Sequence, residues 1–249
     1  MSNNTSKVAF ITGAARRIGA EIARILHQNG MNIALHYHRS EKEAEALCAA
    51  FNRERVNSAM ILQANLADIS NFNQSVESVV QHWGRLDVLV NNASRFYRTL
   101  TGKATETDWD DLMASNLKAP FFLSQVAAPH LAKQSGCIVN IADIHAERPM
   151  RDYSVYCISK AGLMMLTKTL AHELAPGVRV NAVSPGAIAW PEGDNTLSSE
   201  MKEKIVQRTA LKQAGHPRDI AKAVLYFVRD ADYMTGQVIA VDGGRTLFI

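Results

Sequence analysis

The sequence predicts an α/β domain with a doubly wound parallel sheet, and three observations carry that reading. Short, almost continuously apolar runs alternate with segments of helical periodicity along the whole chain. A glycine-bearing turn joins the first such run to the first helix. The 249 residues contain no linker, repeat or low-complexity stretch that would divide them, which suits one domain.

Residues 7–12 (K-V-A-F-I-T) read as a buried strand, because a strand covered on both faces needs no polar alternation. Residues 13–19 turn into a helix that runs to about His27 and stops at Asn29-Gly30. A second strand (32–36), a second helix (41–53) and a third strand (59–63) follow. A helix from Ser70 to Trp83 leads to a fourth strand, 86–90, closing on Asn91-Asn92-Ala93. One long helical tract is expected over 107–134, then a fifth strand over 137–141. The next helix carries Tyr156 and continues its apolar stripe through Leu163, Leu166 and Leu170. A sixth strand (178–183) ends near Pro185-Gly186, helices span 200–209 and 218–229, and 237–241 is the last strand. Seven parallel strands wound this way make a Rossmann fold. Residues 1–6 are expected to be a flexible N-terminus and 7–249 the domain. Within it, 187–212 is a candidate lid because Pro191-Glu192-Gly193-Asp194-Asn195 is rich in turn formers and lies past a strand end.

Composition narrows the function. The chain is 47% hydrophobic and 20% charged, with a net charge of +3, too mild a balance to point to nucleic acid. No apolar stretch reaches membrane-spanning length and the first residues are not signal-like, so a soluble cytoplasmic protein is expected. Three cysteines, Cys48, Cys137 and Cys157, sit inside predicted elements and read as buried reduced thiols. His145 and His172 lack metal-ligand spacing, and no metal is expected.

The turn 13–19 (G-A-A-R-R-I-G) suits a dinucleotide, since a helix N-terminus offers free N–H groups and partial positive charge to a pyrophosphate. Gly13, Arg16, Arg17, Ile18 and Gly19 are the residues expected there. At the end of the second strand a carboxylate would favour NAD by accepting from the adenosine ribose. Here the run is His36-Tyr37-His38-Arg39-Ser40, with no carboxylate until Glu41. The Arg39 fork with donors from His36, His38 and Ser40 points to the 2′-phosphate of NADPH.

The stretch from Asp143 to Lys160 is where chemistry gathers. Tyr156 and Lys160 are four apart and share a helix face. A neighbouring ammonium favours the phenolate, so Tyr156 is expected to be a stronger acid than free tyrosine. Asp143 follows the fifth strand thirteen residues before Tyr156, at the strand-to-helix handover where open α/β sheets bind ligands.

Six motifs in order, T-G-x-x-x-R-I-G (12–19), N-N-A-S (91–94), Asn116, Y-x-x-x-K (156–160), P-G (185–186) and V-D-G-G (241–244), resemble the short-chain dehydrogenase/reductase family over essentially the whole chain. Within it the chain most resembles the pteridine reductases. Asp143 replaces the family's usual serine, Arg17 replaces the middle glycine, and His36 to Ser40 and Asn91 to Tyr97 match their segments. The resemblance implies Asp143, Tyr156, Lys160 and Asn116 as catalytic residues, with Asn116 holding a water in the proton relay. It implies cofactor contacts from Asn65, Leu66, Asn92, Ala93, Ser94, Tyr156, Lys160, Pro185 and Gly186 as well as the turn. Asn65 stands where many members have Asp against the adenine. Arg17, Ser94, Phe96, Asp143, Tyr156 and Trp190 are implied to contact substrate, with Phe96 stacked on a pterin, and a homotetramer is implied. The expected reaction is NADPH-dependent reduction of a dihydropterin, and of dihydrofolate. The competing readings are an NADPH-dependent reductase of 3-oxoacyl thioesters and a non-catalytic NADP-binding regulator.

Overall fold

Strand β1 (Val8–Ile11) is buried at every position, and its side chains alternate between two cores. Ala9 and Ile11 face one, Val8 and Phe10 the other. In the computed structural model, which describes residues 6–190 and 196–247, all strands of the sheet are parallel and lie in the order β3-β2-β1-β4-β5-β6-β7. They are β2 (Asn32–Tyr37), β3 (Ala59–Gln63), β4 (Val88–Asn91), β5 (Cys137–Ile141), β6 (Arg179–Pro185) and β7 (Val238–Val241). The expected seven-stranded fold is what the chain adopts. Residues 1–5 of the expected flexible N-terminus and residues 191–195 of the candidate lid lie outside the described residues.

One face is covered by α1 (Arg17–Gln28), α2 (Glu41–Glu54) and α8 (Pro217–Arg229), which bring Ile22, Leu26, Phe51, Val224 and Phe227 into the first core. The other carries α3 (Phe72–Trp83), α4 (Glu106–Met113), α5 (Ala119–Ala132) and α6 (Ser154–Glu173), with Phe72, Val79, Leu123, Leu131, Leu163 and Leu170 inside. A short α7 (Ser199–Gln207) buries no residue. Truncating fully buried Phe10 or Phe227 to Ala would cost about 3–5 kcal/mol, since close packing leaves a cavity that only partly relaxes.

Strand order reverses between β1 and β4, so the crevice above their C-terminal ends is the topological switch point. The long helix expected over 107–134 is instead α4 and α5 joined by a π-helical turn, Ala114–Lys118. The helix expected from Ser70 starts with a 3-10 turn, Ile69–Asn71, capped by Asp68. Cys137 and Cys157 are buried, Cys48 is half-buried, and all three are free thiols. Among the described residues no helix is long and apolar enough to cross a membrane, and no three His, Cys, Asp or Glu side chains gather as a metal site would require.

Candidate active site

A buried polar ladder sets α6 against the sheet. Asn91 at the end of β4 donates to Asn140 of β5 (2.8 Å), and Asn140 donates to Thr167 of α6 (2.9 Å). The start of α6 has no side-chain cap of its own. Thr99 supplies one from a distance, its Oγ1 accepting from Val155 N at 3.2 Å while its carbonyl accepts from Ser154 Oγ at 3.0 Å. The same contact brings Phe96 against α6, where it stacks on Tyr153 (centroids 4.7 Å apart) and meets Tyr156 edge-on at 4.8 Å.

Tyr156 and Lys160 are 4% and 2% exposed. The phenol donates to Asp143 Oδ2 at 2.7 Å, and the Lys160 ammonium donates to the carbonyl of Ile141, the last residue of β5, at 2.8 Å. Its nitrogen lies 5.8 Å from the Tyr156 ring centroid. Asp143 divides its two oxygens. One accepts from the phenol, and the other caps a 3-10 turn, Ile144–Ala146, by accepting from His145 N at 2.8 Å.

The expected acidity of Tyr156 is corrected here. Burial, then the charge of Asp143 and its hydrogen bond, push the phenol well above the usual tyrosine range. Spacing on a helix shows that Lys160 is near, but not that the carboxylate is nearer and the site drier. Burial lowers Lys160 to about 8, with Asp143 opposing.

The side chain of Asn116, the residue expected to hold a water, is engaged within the protein. Oδ1 accepts from Ser94 Oγ, Arg95 N and Ser115 Oγ, and Nδ2 donates to Arg95 O and Ser159 Oγ. Ser159 in turn donates to the carbonyl of Tyr156 at 2.7 Å. Asn116 therefore joins the π-turn, the 94–95 segment and α6 at the level of Tyr156. The extra residue of a π-turn places it there, and π-turns recur at functional sites.

At the other end of the crevice, Gly19 packs so tightly that an added Cβ would come within 2.1 Å of Gly13 O. Helix α1 has no acidic residue in its first turn and no side-chain cap at its start, so no cap side chain competes for its N-terminal N–H groups. Asn92 braces the turn, donating from Nδ2 to the carbonyls of Thr12 and Gly13, while Asn92 N and Ala93 N donate to Thr12 Oγ1. Arg17 keeps a backbone conformation natural to glycine (φ +53°), which costs an arginine about 1–2 kcal/mol. Its guanidinium does not lie free in the pocket. Nη2 donates to the carbonyls of Ala189 (2.9 Å) and Trp190 (2.8 Å), tying the turn to the start of the candidate lid. Lys202 of α7 stands 6.0 Å from the centroid of the Trp190 ring.

A cavity of about 350 Å³ opens beside this turn, lined by Gly13, Ala15, Arg16, Tyr37, His38, Arg39, Ser40 and Arg95. Three guanidinium groups and a histidine suit phosphate, and together with the uncapped helix end they fit a nicotinamide dinucleotide. His36 is not among the lining residues, which corrects its expected cofactor contact. It is 2% exposed, with Nδ1 accepting from Gly13 N (3.1 Å) and Nε2 bonded to Ala64 O (3.1 Å). That pairing puts the ring hydrogen on Nε2, and burial lowers the imidazole to about 4, so it is neutral. Ile18 and Leu66 turn their apolar surface partly into the two cores, and Asn65 uses Oδ1 to cap Ala67 N while staying exposed. Pro185 ends β6, and Gly186 N donates to Val241 O.

Sequence reasoning missed Arg95, which lines the phosphate-sized cavity and pairs with Asp111. Its place directly after N-N-A-S was the available signal. It also missed Ser159, inside the Y-x-x-x-K motif, and Arg245, directly after the terminal glycine pair. Arg245 is close enough to Asp143 for their charges to interact.

The sequence model of the family described as "Enoyl-(Acyl carrier protein) reductase" matches residues 13–246. The chain belongs to the short-chain dehydrogenase/reductase family. The 3-oxoacyl-[acyl-carrier-protein] reductase FabG of Staphylococcus aureus is 40% identical over 242 residues, covering 96% of this chain and 98% of that protein. The FabG of Staphylococcus epidermidis is 39% identical over the same length. Pteridine reductase 1 of Leishmania tarentolae is 36% identical over 284 residues, 98% of this chain and 97% of that protein. The chain is thus an oxidoreductase of a family that uses NAD(P)H, and by overall identity it stands nearer to the two FabG proteins than to the pteridine reductase.

Proposed function

We propose that this enzyme reduces a C=N bond of a pteridine with NADPH, taking dihydropterin, and dihydrofolate, to the tetrahydro form. The observation that carries this reading is the 2.7 Å hydrogen bond from Tyr156 to Asp143. A ketone reductase needs a second donor aimed at the oxygen where negative charge develops. A carboxylate at that place repels such an oxyanion, whereas it accepts from the amino and ring N–H groups in which a pterin is rich.

NADPH, when bound, supplies the hydride. Arg39, His38, Ser40, Arg16 and Arg95 would hold its phosphates, and Lys160 the ribose beside the nicotinamide. Tyr156, kept protonated by its buried setting, delivers a proton to the ring nitrogen as the neighbouring carbon receives the hydride. The Lys160 charge compensates the phenolate that forms, and Asp143, bonded to the phenol, orients the substrate. Phe96, held against Tyr153 and Tyr156, offers an aromatic face to a flat heterocycle.

A second reading, reduction of a 3-oxoacyl thioester, is favoured by the 40% identity to FabG. Turnover with NADPH of dihydrobiopterin against acetoacetyl-CoA separates the two. We expect pteridine turnover, and activity on the thioester alone would replace our reading with the second one.

A further inference from the structure

A second cavity, of about 380 Å³, is lined by Ile144, His145, Arg148, Pro149, Met150, Arg208, Arg245 and Thr246. Three chain segments distant in sequence build it. The loop after Asp143 contributes His145 and Arg148, the end of α7 contributes Arg208, and the turn after β7 contributes Arg245. Their convergence is specified by the backbone. Leu211 N donates to Gly243 O at 3.0 Å, and Gly244, at φ +76°, lies where an added Cβ would come within 2.7 Å of Ala210. Asp242 spends its carboxylate on this turn, accepting from Gly244 N (2.9 Å) and Thr246 N (2.8 Å).

Among the described residues none of these three guanidinium groups stands in an ion pair. Arg245 is half-buried, and burial lowers its pKa; the charge of Asp143 opposes that shift, the like charge of Arg208 adds to it, and Asp242 opposes it again. His145 is fixed by its ring Nδ1, 2.8 Å from Arg148 O. Two of the cavity's lining residues, Ile144 and His145, directly follow Asp143, and His145 N donates to the Asp143 carboxylate at 2.8 Å. A molecule reacting at Tyr156 and extending past Asp143 would enter this space.

We propose that this cavity is a subsite for an anionic tail on the substrate, a carboxylate or phosphate bound by Arg148, Arg208 and Arg245. On the pteridine reading, which this proposal deepens, the tail is the glutamyl carboxylates of a folate, and side chains with no charge leave the subsite empty.

The test pairs substrates that share a reacting group and differ in tail charge. Dihydrofolate is paired with dihydrobiopterin, and acetoacetyl-CoA with the neutral acetoacetyl-N-acetylcysteamine. Each pair is run with the wild type, with Arg208→Gln and with the double variant Arg148→Gln/Arg208→Gln. In the double variant the kcat/KM ratio of dihydrofolate to dihydrobiopterin is expected to fall about tenfold or more, mostly through KM. Added salt should shrink the wild-type ratio in the same direction. If only the thioester ratio falls, the anionic-tail subsite stands and the pteridine reading fails. If neither ratio depends on the arginines, the subsite is refuted whichever substrate is turned over. Circular dichroism and urea midpoints of the variants separate a lost subsite from a lost fold.

Discussion

The phenol of Tyr156 gives its hydrogen bond to the carboxylate of Asp143, while the ammonium of Lys160 gives one to the carbonyl of Ile141. Lys160 therefore acts on the phenol through space and Asp143 acts through contact. Asp143 accordingly dominates over Lys160 in setting the phenol's protonation.

Replacing Asp143 by Asn keeps an acceptor oxygen and removes the charge. Since that charge raises the Tyr156 pKa, the variant's phenol should titrate at lower pH than the wild type's. Ultraviolet difference titration, with Tyr156→Phe to identify the signal, reads the shift. Pteridine turnover should fall about 100-fold, in the range for losing a positioned acid–base partner. An unmoved phenol would show that burial alone sets its pKa.

Lys160 is charged in a fully buried place. Its folded pKa of about 8 lies below the 10.5 of an unfolded lysine, so the unfolded chain binds the proton more tightly. Charge here costs about 3 kcal/mol below pH 8, and the cost fades as pH rises from 8 to 10.5. Lys160→Met should then unfold at higher urea at pH 7, by about 1–3 kcal/mol, while turnover falls at least ~100-fold. A destabilised variant would mean that the bond to Ile141 outweighs desolvation.

His36 shifts stability in the same direction but in a lower pH window. Its folded pKa of about 4 lies below the ordinary 6.5, so its contribution is complete above pH 6.5 and is lost as pH falls towards 4. The amount is about 3 kcal/mol. In His36→Gln, stability at pH 7 should drop, and the gap to the wild type should close by about that amount at pH 4. Parallel urea midpoints across that range would remove His36 from the acid response.

Arg39→Asp places a carboxylate at the end of β2. The kcat/KM preference for NADPH over NADH should fall about 100-fold or reverse, since a charge-assisted fork is exchanged for a repulsion. An unchanged preference would show that Arg16 and Arg95 carry the phosphate without it.

Much of this was readable in the chain itself. Strands β3 and β5 start and end where their apolar runs do, and the seven-strand count follows from alternation alone. The 114–118 turn was not legible because a π-turn adds one residue without interrupting the apolar pattern. The meeting of Asp143 with Tyr156 was foreshadowed by their spacing. The roles of His36 and Asn116 were not, because spacing carries no information about which partner a buried polar atom finds. Arg148, Arg208 and Arg245 converge only through tertiary contacts of their loops, and no local motif marks Arg148 or Arg208.

The end of β2 divides its labour between neighbours. His36 is locked between Gly13 and Ala64 and serves the scaffold, while His38, Arg39 and Ser40 line the phosphate-sized cavity. Integrity of the turn and choice of dinucleotide are thus written in separate letters. On the NADPH reading proposed above, cofactor preference is an editable trait, open to exchange at residues 38–40 so long as the histidine two positions earlier is left alone.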